Sequence, residues 1–247
     1  MIKPKALTSL SIVFPCRDES SSVGPLIEEA LQVGDRYGTD YEVLVVDDGS
    51  RDDTAGIIDQ WAKKNPRVRL LRHAGPRGLG AAVRTGLEKA QKDLIFLTDG
   101  DHQFRVSDID KLFSKIDSCD AVVGYRLGRQ GGTPRKLASF LWTQANRALF
   151  GLHVRDVNCG FKLFRRRALE GLPLRADSRF IHAEILGRIV RAGGRIQEIG
   201  VSHYPRSGGR SKAYEAPALL GALTDLAGSF WAIRSARRTS SGTPAKR

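Results

Sequence analysis

The chain has 247 residues, 41% of them hydrophobic, and a formal net charge of +13, enough apolar content for one substantial core in a single α/β domain. Its three cysteines, Cys16, Cys119 and Cys159, are too few and too scattered for a disulfide framework, and no C-x-x-C pair points to structural zinc, so a reducing cytoplasm is expected. The charge is uneven: residues 1–118 carry 17 Lys+Arg against 19 Asp+Glu, residues 119–247 carry 23 against 8, so a polyanion (nucleic acid, an anionic membrane or a phosphorylated substrate) should meet the second half.

The opening MIKPKALTSLSIVFPC imitates a secretion signal, with Lys3 and Lys5 ahead of an apolar run. It lacks a small-x-small cleavage site and runs straight into Arg17-Asp18-Glu19, so it reads as a buried first strand over 9–15. Short apolar runs then alternate with helical patterns: a helix over 21–38, strand 41–46, helix 54–64, strand 68–72, helix 80–92, strand 93–98, helix 106–116 and strand 120–126. Fully apolar strands separated by such helices predict a doubly wound, mostly parallel sheet with helices on both faces. Ligands of such sheets sit beyond the carboxyl ends of the strands.

The second half is less regular. It predicts a Gly-rich link (128–134), a helix over 135–151, a strand over 157–164, a helix over 180–194 and a strand over 195–204. PRSGGRSKAYEAP (205–217) reads as a mobile loop, and the basic stretch 235–247 as a disordered tail. No segment offers the ~20 apolar residues that cross a bilayer; 216–233 comes nearest and is interrupted by Asp225.

The strand-end rule gathers carboxylates. Strand 41–46 runs into Asp47 and Asp48, and strand 93–98 runs into Asp99-Gly100-Asp101-His102-Gln103, so four carboxylates lie along one edge of the sheet. Asp52 and Asp53, before the helix at 54, read more plainly as its caps. RGLGAAVRTG (77–86) has Val83 where a dinucleotide fingerprint needs its third glycine, and GxxxxGK[ST] is absent, which argues against a Rossmann dehydrogenase or a P-loop enzyme. The D-x-D-x-Q of Asp99, Asp101 and Gln103 suits Mg²⁺ or Mn²⁺, which take a couple of carboxylates and leave positions for diphosphate oxygens.

FPCRDE (14–19), VVDDGS (45–50), RGLGAAVRTG (77–86), LTDGDHQ (97–103), GYR (124–126), RDVNCGFKLFRR (155–166) and YPRSGGRSK (204–212) resemble, in order and spacing, the inverting GT-A glycosyltransferases of family 2. The subgroup is the dolichol-phosphate-mannose-synthase-like polyprenyl-phosphate transferases. The resemblance implies a single GT-A domain over 1–234, with a nucleotide-binding half (9–126) and an acceptor-binding half (127–234). Pro15, Glu19 and Asp48 would line the base and ribose pocket, with Asp47 beside them and Arg17 also in the nucleotide-sugar site. Asp99, Gly100, Asp101 and Gln103 would hold the metal, diphosphate and donor sugar, with Asp99, Asp101 and Gln103 in the catalytic role. Arg126, Arg135, Ser139 and Arg206 match positions that grip the acceptor phosphate, and Lys212 would close over the site.

The implied partners are a nucleotide-sugar donor such as GDP-mannose or a UDP-hexose, a polyprenyl or dolichyl phosphate, and a divalent metal. Nucleic acid is not expected. Many relatives carry C-terminal transmembrane helices and this chain stops short of any, so attachment to the cytoplasmic face of the membrane is expected to be peripheral or through a membrane-anchored partner. Arg17-Asp18 stands where the family often has aromatic-Asn, which leaves base recognition open.

Three further features take plainer readings. His182-Ala-Glu184 mimics a deaminase H-x-E, but no P-C-x-x-C follows, so it reads as a helix face near the acceptor groove. Phe140 and Trp142 read as core, with the border of a lipid channel as the alternative. The apolar stripe of 216–234 suits packing against the domain or an interfacial helix equally well. Two rivals stand against the polyprenyl-phosphate reading. One is a family 2 transferase with a soluble sugar or polysaccharide acceptor, although only Gln144-x-x-Arg147-Ala148 approaches the Gln-x-x-Arg-Trp of processive synthases. The other is a non-catalytic basic binding module.

Overall fold

The computed structural model describes residues 8–37, 40–127, 133–205, 224–226 and 228. The elements run β1 (Ser9–Cys16), α1 (Val23–Tyr37), β2 (Asp40–Asp47), α2 (Thr54–Lys64), β3 (Val68–Arg72), α3 (Leu79–Lys89), β4 (Leu94–Leu97), α4 (Ile109–Ile116), β5 (Ala121–Leu127), α5 (Thr133–Phe150), β6 (Lys162–Arg165), α6 (Ile181–Arg191) and β7 (Ile196–Ser202). They build one seven-stranded sheet in the order β3-β2-β1-β4-β6-β5-β7. The pairs β3/β2, β2/β1, β1/β4 and β5/β7 are parallel, while β6 runs antiparallel to both β4 and β5.

Strand side chains alternate between two cores, as a two-sided sheet requires. Leu10, Ile12 and Phe14 join residues of α1, α2 and α4 on one face, whereas Val13, Leu44 and Ile95 join residues of α3 and α6 on the other. The parallel half places its strand ends together: Cys16 stands opposite Asp47, and Asp47 opposite Arg72.

Several local expectations change. At α2, Asp53 is the N-cap but makes no side-chain cap bond; Asp52 takes that part, its Oδ1 accepting from Thr54 N at 3.0 Å and Thr54 Oγ1 at 2.5 Å. The strand expected over 157–164 shrinks to 162–165, because the carbonyls of Val157 and Cys159 turn to the Lys162 ammonium instead of a ladder. Phe140 is not core: it is 57% exposed, whereas Trp142 packs against the core and Thr143 is buried. His182 is buried on the inward face of α6 rather than lining a groove. The loop at 205–217, beyond its first residue, and the tail at 235–247 lie outside the described residues, as does most of the apolar stripe at 216–234.

Candidate active site

The rim is assembled where β1, β2 and β4 end. Asp47 is fully buried; its Oδ1 accepts from Ser50 N at 3.0 Å, and Oδ2 lies 3.3 Å from Arg72 Nε without a hydrogen bond. Asp48, 3% exposed, is engaged by the protein: it accepts from Arg77 N and Gly78 N, each at 2.8 Å, and contacts His73 Nδ1 at 2.8 Å. It thereby anchors the Gly-rich entry of α3 to the end of β2. Glu19 Oε2 accepts from Ser22 Oγ at 2.9 Å. Arg17 Nε is buried and has no hydrogen-bond partner. The β1 and β2 ends thus carry one unsatisfied buried donor and one carboxylate oxygen without a hydrogen bond, a combination that a nucleoside can complete.

The segment after β4 crosses the end of β1. Gly100 is buried so closely on Pro15 and Cys16 that an added Cβ would sit 2.4 Å from Cys16 Sγ, and its carbonyl accepts from Ser22 Oγ at 3.2 Å. Gln103 is held by the chain at 204, with its N–H accepted by Asp101 Oδ1 at 3.2 Å and its Nε2 donating to Tyr204 O at 3.1 Å. His102 turns away towards Glu29, 3.3 Å distant. Asp18 and His102, both at φ 55°, are the two non-glycine residues with positive φ among the described residues. Each lies in a rim loop, where left-handed backbone carries a cost that the surrounding contacts must offset.

The opposite wall is built where the two halves meet. Arg126, at the end of β5, clamps Asp156 through Nε at 2.6 Å and Nη2 at 2.9 Å. Burial alone would lower the Arg126 pKa, but the Asp156 hydrogen bonds and charge, with a contribution from Asp99, raise it instead. Gly160 lies against Asp99: an added Cβ there would come within 2.3 Å of its carboxylate atoms. Arg135 and Ser139 sit on the first turns of α5, where only the backbone is described, and Arg206 and Lys212 lie outside the described residues.

The rim is strongly negative. Burial first, then Glu19, Asp47, Asp101 and Asp99, push the Cys16 thiol well above its ordinary value, so Cys16 is an inert reporter of that field rather than a nucleophile. Among the described residues no group of three or more His, Cys, Asp or Glu side chains gathers as a metal cage. Two carboxylates and an amide on one short loop, with Asp99 seated on a glycine, instead fit an ion shared with a diphosphate.

Sequence reasoning missed Asp156, Asn158 and Lys162. The available signal was a lysine inside the apolar run GFKLF (160–164), a position a solvated side chain does not take.

A parallel α/β half ending in a carboxylate rim, continued through an antiparallel strand into a second half that walls the same edge, is the architecture of the GT-A glycosyltransferases. The chain belongs to glycosyl transferase family 2, whose family model matches residues 11–172. It is 32% identical over 179 residues to a dolichyl-phosphate beta-glucosyltransferase of Trichomonas vaginalis, covering 66% of this chain and 53% of the relative. To a dodecaprenyl-phosphate galacturonate synthase of Rhizobium johnstonii it is 31% identical over 214 residues, covering 85% and 63%. The chain therefore spans between about half and two thirds of these relatives' lengths. Among solved structures, glucosyl-3-phosphoglycerate synthase from Mycobacterium tuberculosis in complex with Mg²⁺ and uridine diphosphate shares the fold at TM-score 0.71 and 19% identity, covering 90% of this chain and 80% of that one.

Proposed function

We propose that the chain transfers one sugar, with inversion, from a nucleotide sugar to a polyprenyl or dolichyl phosphate at the cytoplasmic face of a membrane, with residues 9–126 binding the donor and 127–234 the acceptor. The observation that carries this reading is the juxtaposition at one sheet edge of the Asp99–Gln103 loop with the Arg126–Asp156 pair, linked by the contact of Gly160 with Asp99. The polyprenyl-phosphate acceptor is supported by the relatives' names.

In this reading Arg17 and Asp47 complete their hydrogen bonding on the nucleoside, and Asp48 keeps the Gly-rich segment in place beneath it. Asp99, Asp101 and Gln103 would hold Mg²⁺ or Mn²⁺, which when bound neutralises charge on the departing nucleoside diphosphate. Arg126, its Nε and Nη2 committed to Asp156, offers Nη1 to the acceptor phosphate, and Arg135, Ser139, Arg206 and Lys212 are proposed to share that grip. An acceptor phosphate oxygen forms the new bond to the anomeric carbon from the face opposite the leaving diphosphate, whose bond to that carbon breaks. The phosphate is already anionic near neutral pH, so no general base is required, and holding it in line is the chief task of the protein.

Calorimetric binding of UDP and GDP with and without Mn²⁺ tests the donor half. Binding strengthened at least tenfold by the metal in the wild type, with that gain lost in Asp101→Ala, is expected. A metal-independent affinity that Asp101→Ala leaves unchanged would contradict the metal assignment.

A further inference from the structure

The turn 156–160 forms the wall between the Asp99 loop and Arg126, and five successive residues of it are tied to four different elements. Asp156 pairs with Arg126 on β5, and Gly160 lies on Asp99 beyond β4. Asn158 Oδ1 accepts from Trp142 Nε1 of α5 at 3.2 Å. The carbonyls of Val157, at 3.2 Å, and Cys159 both accept from Lys162 Nζ on β6. Lys162 is fully buried, and its Nζ also meets His182 Nδ1 of α6 at 3.4 Å.

A lysine is almost never fully buried without compensation, because desolvating an ammonium costs several kcal/mol. Here the three donors of an ammonium face three acceptors: two backbone carbonyls and an imidazole nitrogen. The arrangement requires His182 to be neutral, with its proton on Nε2. Burial, with Lys162, Arg179 and Arg126 adding to it, holds the His182 pKa well below its ordinary value, consistent with that tautomer staying uncharged.

We propose that Lys162 is a positioning residue for the transfer reaction. Its ammonium draws the Val157 and Cys159 carbonyls inward, which bends the chain so that Gly160 meets Asp99 while Asp156 meets Arg126, and so sets the spacing between the donor and acceptor halves of the site. Lys162 itself touches neither substrate. Burial pulls its pKa to about 8, with Cys159, Asp156 and Asp99 opposing that fall, so it is charged near neutrality.

This inference rests on the glycosyl transfer proposed above, and the experiment separates the two. Wild type, Lys162→Met and Lys162→Arg are compared for Mn²⁺-dependent nucleotide affinity and for transfer to a short polyprenyl phosphate. If the wild type transfers nothing, the functional reading fails. With an active wild type, a positioning role predicts that Lys162→Met binds nucleotide within threefold of wild type but loses at least 30-fold in kcat, and that Lys162→Arg recovers at least fivefold of that loss. Wild-type kcat in Lys162→Met, or a parallel loss of nucleotide affinity and kcat without recovery by arginine, would overturn the proposal. Should Lys162→Met fail to fold, nitrogen NMR of the wild-type imidazoles decides. A neutral His182 protonated on Nε2 supports the geometry, and one protonated on Nδ1 overturns it, since Lys162 would then have no acceptor there.

Discussion

Arg126 and Asp156 form a charge pair whose stability contribution can be measured apart from the acceptor role proposed for Arg126. Their bidentate pair is largely buried, with side chains 15% and 10% exposed, and removing either partner breaks a desolvated charge pair. Arg126→Met and Asp156→Asn are each expected to destabilise the chain by about 3 kcal/mol, and the double variant by less than the sum, as a double-mutant cycle in urea would show. Lys162 makes a pH-dependent contribution of opposite kind. Its folded-state pKa of about 8 lies below the ordinary 10.5, so between those values the unfolded chain holds the proton more tightly and stability rises with pH. The stability of wild type relative to Lys162→Met should therefore increase from pH 7 to pH 9.5; a flat difference would contradict the burial of its charge. Asp99 and Asp101 were legible in the sequence because a strand pattern placed them at a sheet edge. Asp156 and Lys162 were not, because their partners Arg126, Val157, Cys159 and His182 are assembled only by the crossing of β5, β6 and α6.

At the scale of elements, the parallel half was legible almost throughout, since β1, β2 and β4 are mainly apolar runs punctuated by helical periodicity, and β3 keeps Val68, Leu70 and Leu71 between its arginines. The 157–164 region misled because period-2 apolarity also describes a turn wrapped around a buried cation. The entry of α3 illustrates a close approach that no periodicity reveals: Gly80 N donates to Asp177 O at 2.8 Å, and an added Cβ at Gly80 would lie 2.2 Å from Ala176 O. Gly80→Ala should therefore push the 176–178 segment away and cost roughly 1–3 kcal/mol by urea unfolding. A neutral outcome would mean that this segment yields without loss.

For the whole molecule, the basic second half and the acceptor proposed for it make a membrane-surface prediction. Among the described residues no helix is long and apolar enough to cross a membrane. Co-sedimentation should show binding to vesicles rich in anionic lipid and far less to neutral ones, weakening steeply as salt rises from about 0.05 to 0.5 M. Equal binding to both would point away from electrostatic attachment. The charge asymmetry was legible in the sequence, but the placement of that charge was less so: Arg165 is spent on the carbonyls of Ile116, Asp117 and Cys119, and Arg188 on Glu184. The measurement closest to the central claim is transfer of labelled sugar from UDP-glucose, GDP-mannose and UDP-N-acetylhexosamine, in parallel, to a short polyprenyl phosphate, with Mn²⁺ or Mg²⁺ and an EDTA control. Label entering the organic phase with one donor, abolished by EDTA and at least 1000-fold lower in Asp101→Ala, is the predicted result. Donor turnover without lipid product across the panel, or lipid labelling indifferent to EDTA, would contradict it.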